Sequence, residues 1–442
     1  MRNNGYTRQS ALWRALSALT AILMLLPVLS SCIVKTLNPD DTTADAADDT
    51  TLTETVTTAA ETSAEYTETE TEQTETDPPE TEPEPDPVRL SFIGMGDNIV
   101  YGCTFRQAEN RDGTYDFLPM YEKVAPFIKN ADIAFINQET PMCGEKYGYH
   151  SYPQFNSPQQ MGRDLIKLGF DVITFANNHM ADMGYEGRSC VSDMIDYTDT
   201  LDALIVGLYR NKDDFENIRV YEKDDVKIAF LAYTYGTNLY KKQTEPQRIE
   251  GAYLPVYDEE TVKRQVTKAN DLADIVIVSI HWGTENTHKV NEEQEQYAKL
   301  IADCGADVIL GHHPHVVQKI EWIEGEGGNK TLCYYSLGNG LNAQDYLKNM
   351  IGITASFDIV KDKDGARIEN PSCIPTFNVM TPNYKNISLI PLEKLTDEIA
   401  SRHHCNNKED RKVTVERAYS IITDNIAPEF LPEYLKQNEK NN

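Results

Sequence analysis

From Arg89 onward the chain alternates short apolar runs with stretches of helical periodicity, and this alternation restricts it to one class of architecture. The apolar runs predict strands over Leu90 to Met95, Ile133 to Ile136, Asp171 to Phe175, Lys227 to Ala232, Ile275 to Ile280, Val308 to Leu310, Thr331 to Tyr335 and Ile351 to Val360. Between them, helices are predicted at about Phe117 to Lys129, Pro158 to Leu168, Gly184 to Leu201, Glu259 to Leu272 and Glu292 to Cys304. Strands and helices in alternation build an α/β sheet of parallel strands covered by helices. Ligands of such sheets collect at the carboxyl ends of the strands.

The residues just past each apolar run are therefore the informative ones. Met95 leads into Gly96-Asp97-Asn98, and Ile136 into Asn137-Gln138-Glu139-Thr140-Pro141. Phe175 leads into Ala176-Asn177-Asn178-His179, Ile280 into His281-Trp282-Gly283, and Leu310 into Gly311-His312-His313-Pro314-His315. Taken singly, Asp97 is as well read as a helix cap, Asn178 as a turn residue and His281 as a hydrogen-bonded core residue. Taken jointly, five strand ends carry Asp, Glu, Asn with His, His, and His-x-His. Borderline divalent cations take that mixture of imidazole, carboxylate and amide oxygen, and Mn, Zn or Fe would each fit. The last cluster holds three of the nine histidines in 442 residues. Pro314 is expected to hold His313 extended, so that His313 and His315 face one site while His312 points elsewhere and tunes it.

The amino-terminal part has another character. Met1 to Ser10 is polar with Arg2 and Arg8, Ala11 to Leu29 is largely apolar, and Ser30-Ser31-Cys32 comes next. A basic start, a short apolar core and small residues read as an export signal. Leu29-Ser30-Ser31-Cys32 resembles the lipobox of bacterial lipoproteins, in which the cysteine becomes the lipidated first residue. Either processing at Cys32 or an uncleaved anchor would leave the remainder on the extracytoplasmic face of the cell membrane. From Ile33 to Val88 there are seventeen acids against Lys35 alone, among Thr, Ala and Pro. Such a segment buries too little apolar surface to fold and is read as a spacer. A flexible coil of this length spans about 40 Å.

The net charge of −29 excludes one class of partner: no basic stripe is available for nucleic-acid phosphates. Seven cysteines beyond Cys32 form no C-x-x-C pair or regular framework, so mostly reduced thiols are expected, with one disulfide left open. The 24 tyrosines follow no spacing that would set them on one face, and are read as packing residues. Val413 to Ile426 has a helical apolar face suited to docking on the domain.

The strand-end motifs resemble the CapA family, bacterial poly-γ-glutamate capsule-synthesis proteins that look like relatives of calcineurin-type metallophosphatases. The likeness covers about Leu90 to Met380. It rests on Gly96-Asp97, Asn137-Gln138-Glu139-Thr140-Pro141, Phe155-Asn156-Ser157-Pro158, Asn177-Asn178-His179 with Asp182 and Gly184, His281-Trp282-Gly283 with Glu285, His313-Pro314-His315-Val316, and Tyr335-Ser336-Leu337-Gly338-Asn339. The resemblance implies a four-layer α/β/β/α sandwich with a site for two divalent ions. Asp97 would bind one ion, with His315 reaching toward it, and Glu139 would bridge. Asn178, His281 and His313 would serve the second. His179, oriented by Asp182, would hold or donate a proton, and Gly338 and Asn339 would contact an oxyanion of the substrate or shape its pocket. Metallophosphatases begin with Asp-x-His, whereas this chain has Asp97-Asn98-Ile99, so the first ion is expected to lack one imidazole.

The organisation expected is a signal peptide over 1–31, an acidic linker over 32–88, a metallophosphatase-like domain over 89–380 and a C-terminal extension with a helix over 381–442. The function implied is synthesis, export or release of a surface polymer, beside a membrane synthase or exporter, with an anionic polymer or phosphate-containing substrate. Two other readings remain open: a surface metal-dependent phosphoesterase, and a non-catalytic lipoprotein that scaffolds a synthase.

Overall fold

The computed structural model describes residues 86–183, 190–238, 248–249 and 251–439. The expected signal peptide, Cys32, all but the last residues of the acidic linker, and Gly184 lie outside them. Among the described residues no helix is long and apolar enough to cross a membrane.

Two sheets carry the structure. In the first, Val88–Asn98 lies centrally, parallel to Ile133–Gln138, which continues in parallel to Val172–Thr174 and Leu204–Val206. On its other side Ile351–Asp362, Gly365–Thr381 and Lys385–Pro391 form an antiparallel meander. The second sheet has Val226–Thr234, Ile275–His281, Val308–His312 and Lys330–Tyr334 in parallel, with antiparallel edges Arg219–Lys223 and Ile320–Glu324. Each predicted strand is present, several of them a residue or two longer.

Side-chain alternation explains how the sheets stack. In the second sheet Ile228, Phe230, Ile277, Val308 and Leu310 point into one core with Phe92 and Phe135 of the first sheet. Their neighbours Ala229, Leu231, Val276, Val278 and Ile309 point the other way. There they meet Val262 and Val266 of the helix Glu259–Asn270 and Ala298 and Ile301 of Glu292–Asp303. Period-two alternation with both faces apolar is what a sheet between another sheet and a helix layer requires. The Phe92 and Phe135 rings lie 6.5 and 6.3 Å from Phe230 across the sandwich. Helices Ala125–Asn130, Gln160–Leu168 and Cys190–Thr198 bury Ile128, Leu165 and Met194 in the same core as the first sheet, completing an α/β/β/α arrangement.

Three differences from the sequence reading have physical causes. The helix expected over Phe117 to Lys129 is two short ones, Leu118–Tyr121 and Ala125–Asn130, each with a proline in its first turn, where a missing N–H is harmless. The first sheet is mixed, since its meander half is antiparallel. Finally, the sheet does not stop at residue 380: Lys385–Pro391 is its edge strand, and Leu392, Leu395, Ala418, Ile422 and Leu435 are buried in the main core. The helix Val415–Thr423 lies within the amphipathic stretch predicted for it.

Candidate metal centre

The strand ends meet at one edge of the sandwich. Asp97 closes the central strand of the first sheet, and its backbone N–H donates to the Gly338 carbonyl at 2.9 Å. A Cβ on Gly96 would lie 2.1 Å from that same carbonyl oxygen, so only glycine lets the two segments approach this closely. Gly338 thus shapes the site from beneath Asp97. In the second sheet, a Cβ on Gly311 would come within 2.0 Å of the Tyr335 carbonyl oxygen, and glycine there lets the histidine turn emerge beside its neighbour.

Around Asp97 the side chains converge. His315 Nδ1 lies 3.0 Å from Asp97 Oδ2 and 3.1 Å from Asn339 Oδ1, and Asn137 Nδ2 donates to Asp97 Oδ1 at 2.8 Å. Glu139 Oε1 is 3.6 Å from His315 Nε2 and 4.0 Å from His179 Nε2. His179 Nδ1 sits 2.6 Å from Asp182 Oδ2, which also accepts the Phe155 backbone N–H at 2.8 Å. His281 Nε2 lies 3.0 Å from Asn178 Oδ1, and the His281 and His313 ring centres are 4.8 Å apart. All of these groups are buried. The structure therefore brings every strand-end residue picked from the sequence, with His179, Asp182 and Asn339, into one place.

The turn that carries the histidines differs from expectation. His313 and His315 adopt φ of +96° and +57°, in the left-handed region, rather than the extended form that Pro314 was expected to impose on His313. Such conformations cost about 1–3 kcal/mol each and persist where surrounding bonds over-determine them. Here the His313 N–H donates to Asp97 Oδ2 at 3.1 Å, Asn286 N–H donates to the Pro314 carbonyl at 2.8 Å, and Asn339 and Asn349 Nδ2 both donate to the His315 carbonyl. The two rings still share a site, 5.9 Å between centres. His312 ends its strand with Nδ1 3.2 Å from Asp97 Oδ1, so it does touch the carboxylate that His315 holds.

Electrostatics separate the two carboxylates. Burial would raise both. Hydrogen bonds and charge from His312 and His315 outweigh it at Asp97, which is held well below the usual carboxylate range. At Glu139 burial prevails over the attraction of His315 and, with repulsion from Asp97, Glu285 and Asp182, pushes the carboxyl well above its ordinary value. Burial lowers His281 well below the ordinary imidazole value and His313 to about 3, favouring neutral, lone-pair-bearing rings. His315 escapes that trend, since Glu139 and Asp97 overcome its burial and raise it to about 9.

These residues pass a test for metal fit. Both Glu139 oxygens, Asn137 Oδ1, His281 Nδ1, His313 Nδ1 and His312 Nε2 are buried without a hydrogen-bond partner. Buried polar atoms are otherwise almost always paired, because each orphan costs about 1–3 kcal/mol. Ligand atoms of Asp97, Glu139 and His281 lie within 4.8 Å of one another, as do those of Glu285, His313 and His315. Glu285 is visible in the sequence only as part of a motif, and the spacing His281-Trp282-Gly283-Thr284-Glu285 carries no sign that it turns back toward the histidines. Gly283, at φ +85°, makes that turn.

The family profile described as "Bacterial capsule synthesis protein PGA_cap" matches residues 90–344. The chain belongs to this family, the CapA proteins. It is 32% identical over 259 residues to the capsule biosynthesis protein CapA of Bacillus anthracis, a match spanning 57% of this chain and 59% of that protein. With the PGA biosynthesis protein CapA of Bacillus subtilis (strain 168) it shares 29% over 289 residues, 63% of this chain and 70% of the relative. A crystal structure of a hypothetical protein from Thermus thermophilus aligns over 65% of this chain and 98% of that one, at 14% identity and a TM-score of 0.39.

In this CapA-family chain one disulfide ties the site together. Cys143 lies just past the Glu139 segment, Cys190 opens the helix after the His179 segment, and they are bonded with Cα atoms 5.3 Å apart. Cys103, Cys304, Cys333, Cys373 and Cys405 are free. Closing a loop of 47 residues stabilises by about 3–4 kcal/mol on chain entropy. Replacing both Cys143 and Cys190 by alanine is expected to lower unfolding stability by about that amount, read from urea denaturation. An unchanged midpoint would show that the bond contributes nothing.

Proposed function

We propose that this chain is a surface protein, lipid-anchored through Cys32 on the extracytoplasmic face of the cell membrane. There it acts through a divalent-metal centre in the synthesis, export or release of poly-γ-glutamate. Family membership supports the polymer, since the two Bacillus relatives are a capsule and a PGA biosynthesis protein. One observation carries the metal centre: the unpartnered, buried Glu139 carboxylate amid imidazoles from separate strand ends. A buried disulfide suits an oxidising, exported setting.

Asp97, Glu139, Asn178, His281, His313 and His315 would hold two ions of Mn, Zn or Fe type, and Glu285 is placed to add an oxygen beside His313 and His315. When bound, such cations supply Lewis-acid polarisation of an acyl or phosphoryl group. The chain's own residues would do the rest. Asp182 fixes the Nδ1 side of His179, leaving Nε2 facing Glu139 and free to hold or deliver a proton. Asn339 fixes the His315 ring from the side opposite its Nε2. A membrane synthase or exporter is the partner this reading requires.

The test replaces the chromosomal copy by an Asp97→Ala version in a polymer-forming host and measures surface poly-γ-glutamate. Loss of polymer with the variant present at normal level is expected. Wild-type polymer would overturn the reading. Turnover of a generic aryl phosphate that disappears in His313→Ala while polymer persists would point instead to a phosphoesterase.

A further inference from the structure

Beside the metal centre lies an open cleft of about 500 Å³ whose walls come from five distant parts of the chain. It shares walls with the site. Gln344 Oε1 accepts from Asn339 Nδ2 at 3.0 Å, and Asn349 Nδ2 donates to the His315 carbonyl at 3.2 Å. On the other side the Tyr101 ring packs edge-on against Phe155 at 5.3 Å, and Phe155 against His179 at 4.9 Å. A chain lying in the cleft would therefore run directly toward His179 and the carboxylates.

The cleft collects tyrosines that the sequence left scattered. Among the described residues, five large apolar or aromatic side chains are exposed, and three of them, Tyr152, Tyr346 and Tyr384, line this one cleft. Exposed rings concentrated beside a polar site mark a binding surface more than a packing remnant. Tyr346 is held flat by Arg411, whose guanidinium carbon lies 3.7 Å from the ring centre. Arg411 is in turn paired with Asp345, which leaves that part of the wall near neutrality.

Two cations remain. Arg106 lines the cleft and is exposed, and Lys348 donates to the carbonyl of the wall residue Asn286 at 2.7 Å. Neither has a carboxylate in ion-pair range among the described residues, whereas Arg89, Arg210, Arg264, Lys361 and Arg367 do. Negative charge nearby comes from Asp345, already paired, and from Glu139, whose charge reaches the wall residue Tyr101. Arginine and lysine without carboxylate partners favour an anionic occupant, and tyrosine faces favour planar amides and methylene stretches. A chain offering carboxylates at intervals along an amide and methylene backbone satisfies both.

We infer that this cleft is the subsite that seats a γ-linked glutamate segment, with Arg106 and Lys348 taking its carboxylates and Tyr152 and Tyr346 facing its backbone. The inference rests on the proposed polymer and adds where and how the chain is gripped.

Calorimetric titration of the full chain with a short γ-linked glutamate oligomer tests it, with the γ-linked glutamine oligomer as neutral control and inorganic phosphate as competitor. Arg106→Glu with Lys348→Glu is expected to weaken oligomer binding by about tenfold or more, and Tyr152→Ala with Tyr346→Ala by a smaller factor. Metal content should stay at the wild-type level in both variants. Equal affinity in wild type and the charge-reversed variant overturns the subsite, as does displacement of the oligomer by phosphate at similar concentration. No binding to wild type also overturns it. These outcomes leave the function itself to the separate polymer measurement with Asp97→Ala, so the two failures are told apart.

Discussion

Replacing His313 and His315 together by alanine is expected to lower affinity for a divalent cation by more than about 100-fold while the fold survives. Disturbing a residue that merely orients a ligand already costs about 10–100-fold in metal affinity. Two imidazoles from one turn remove more. Survival of the fold is expected from what holds that turn: the contacts run from the His313 N–H and the Pro314 and His315 carbonyls, all of which alanine retains. The left-handed conformations at these positions already carry a Cβ, so alanine adds no new backbone strain. Removing His315 also leaves Asp97 with His312 and the Asn137 amide as neighbours, so its charge is not stranded. Elemental analysis of the purified full chain, with circular dichroism as the fold control, reads the result. Equal metal content in wild type and variant would sink the site assignment.

How much of this site the sequence discloses depends on the kind of residue. Asp97, Glu139 and His281 were readable because each sits at or just past an apolar run, and parallel sheets bring such ends together. The His313 and His315 rings do lie together, 5.9 Å between centres, but not by the extended geometry that spacing suggests. Proline restricts its predecessor statistically, but here Asp97 accepts the His313 N–H and fixes a conformation that local preference disfavours. Tertiary bonds of that kind leave no mark on spacing. The same holds for the Cys143 to Cys190 bond and for the tyrosine cleft, whose members lie as far apart as Tyr101 and Tyr384 and meet only through the fold. In the sheet, Gly365–Thr381 is not legible because it is long, half-exposed and interrupted by Asn370 and Pro371, in a stretch that pairs with Ile351–Asp362 alone, where a proline is tolerated.

Glu139→Gln is expected to have opposite effects in chelator and in metal. In wild type both Glu139 oxygens are buried with no partner, and burial holds the carboxyl well above its ordinary value. A group whose folded-state pKa is raised contributes stability at acid pH that is lost as pH rises through the folded value. At neutral pH the metal-free protein therefore carries this carboxylate as a burden. Glutamine, neutral and nearly isosteric, relieves most of it, although its buried amide still needs partners and the attraction to His315 is lost. Net stabilisation of about 1–2 kcal/mol is expected in chelator, together with a flatter dependence of stability on pH. With metal the order reverses. An ion bound as proposed, at 100 to 1,000 times its Kd, would stabilise the wild type by about 3–4 kcal/mol, and a variant without the Glu139 carboxylate would forfeit most of that. Thermal unfolding of both proteins in EDTA and in excess Mn²⁺ should give curves that cross: variant above wild type without metal, below it with metal. A residue of purely structural importance would destabilise in both conditions, and that outcome would remove Glu139 from the metal centre.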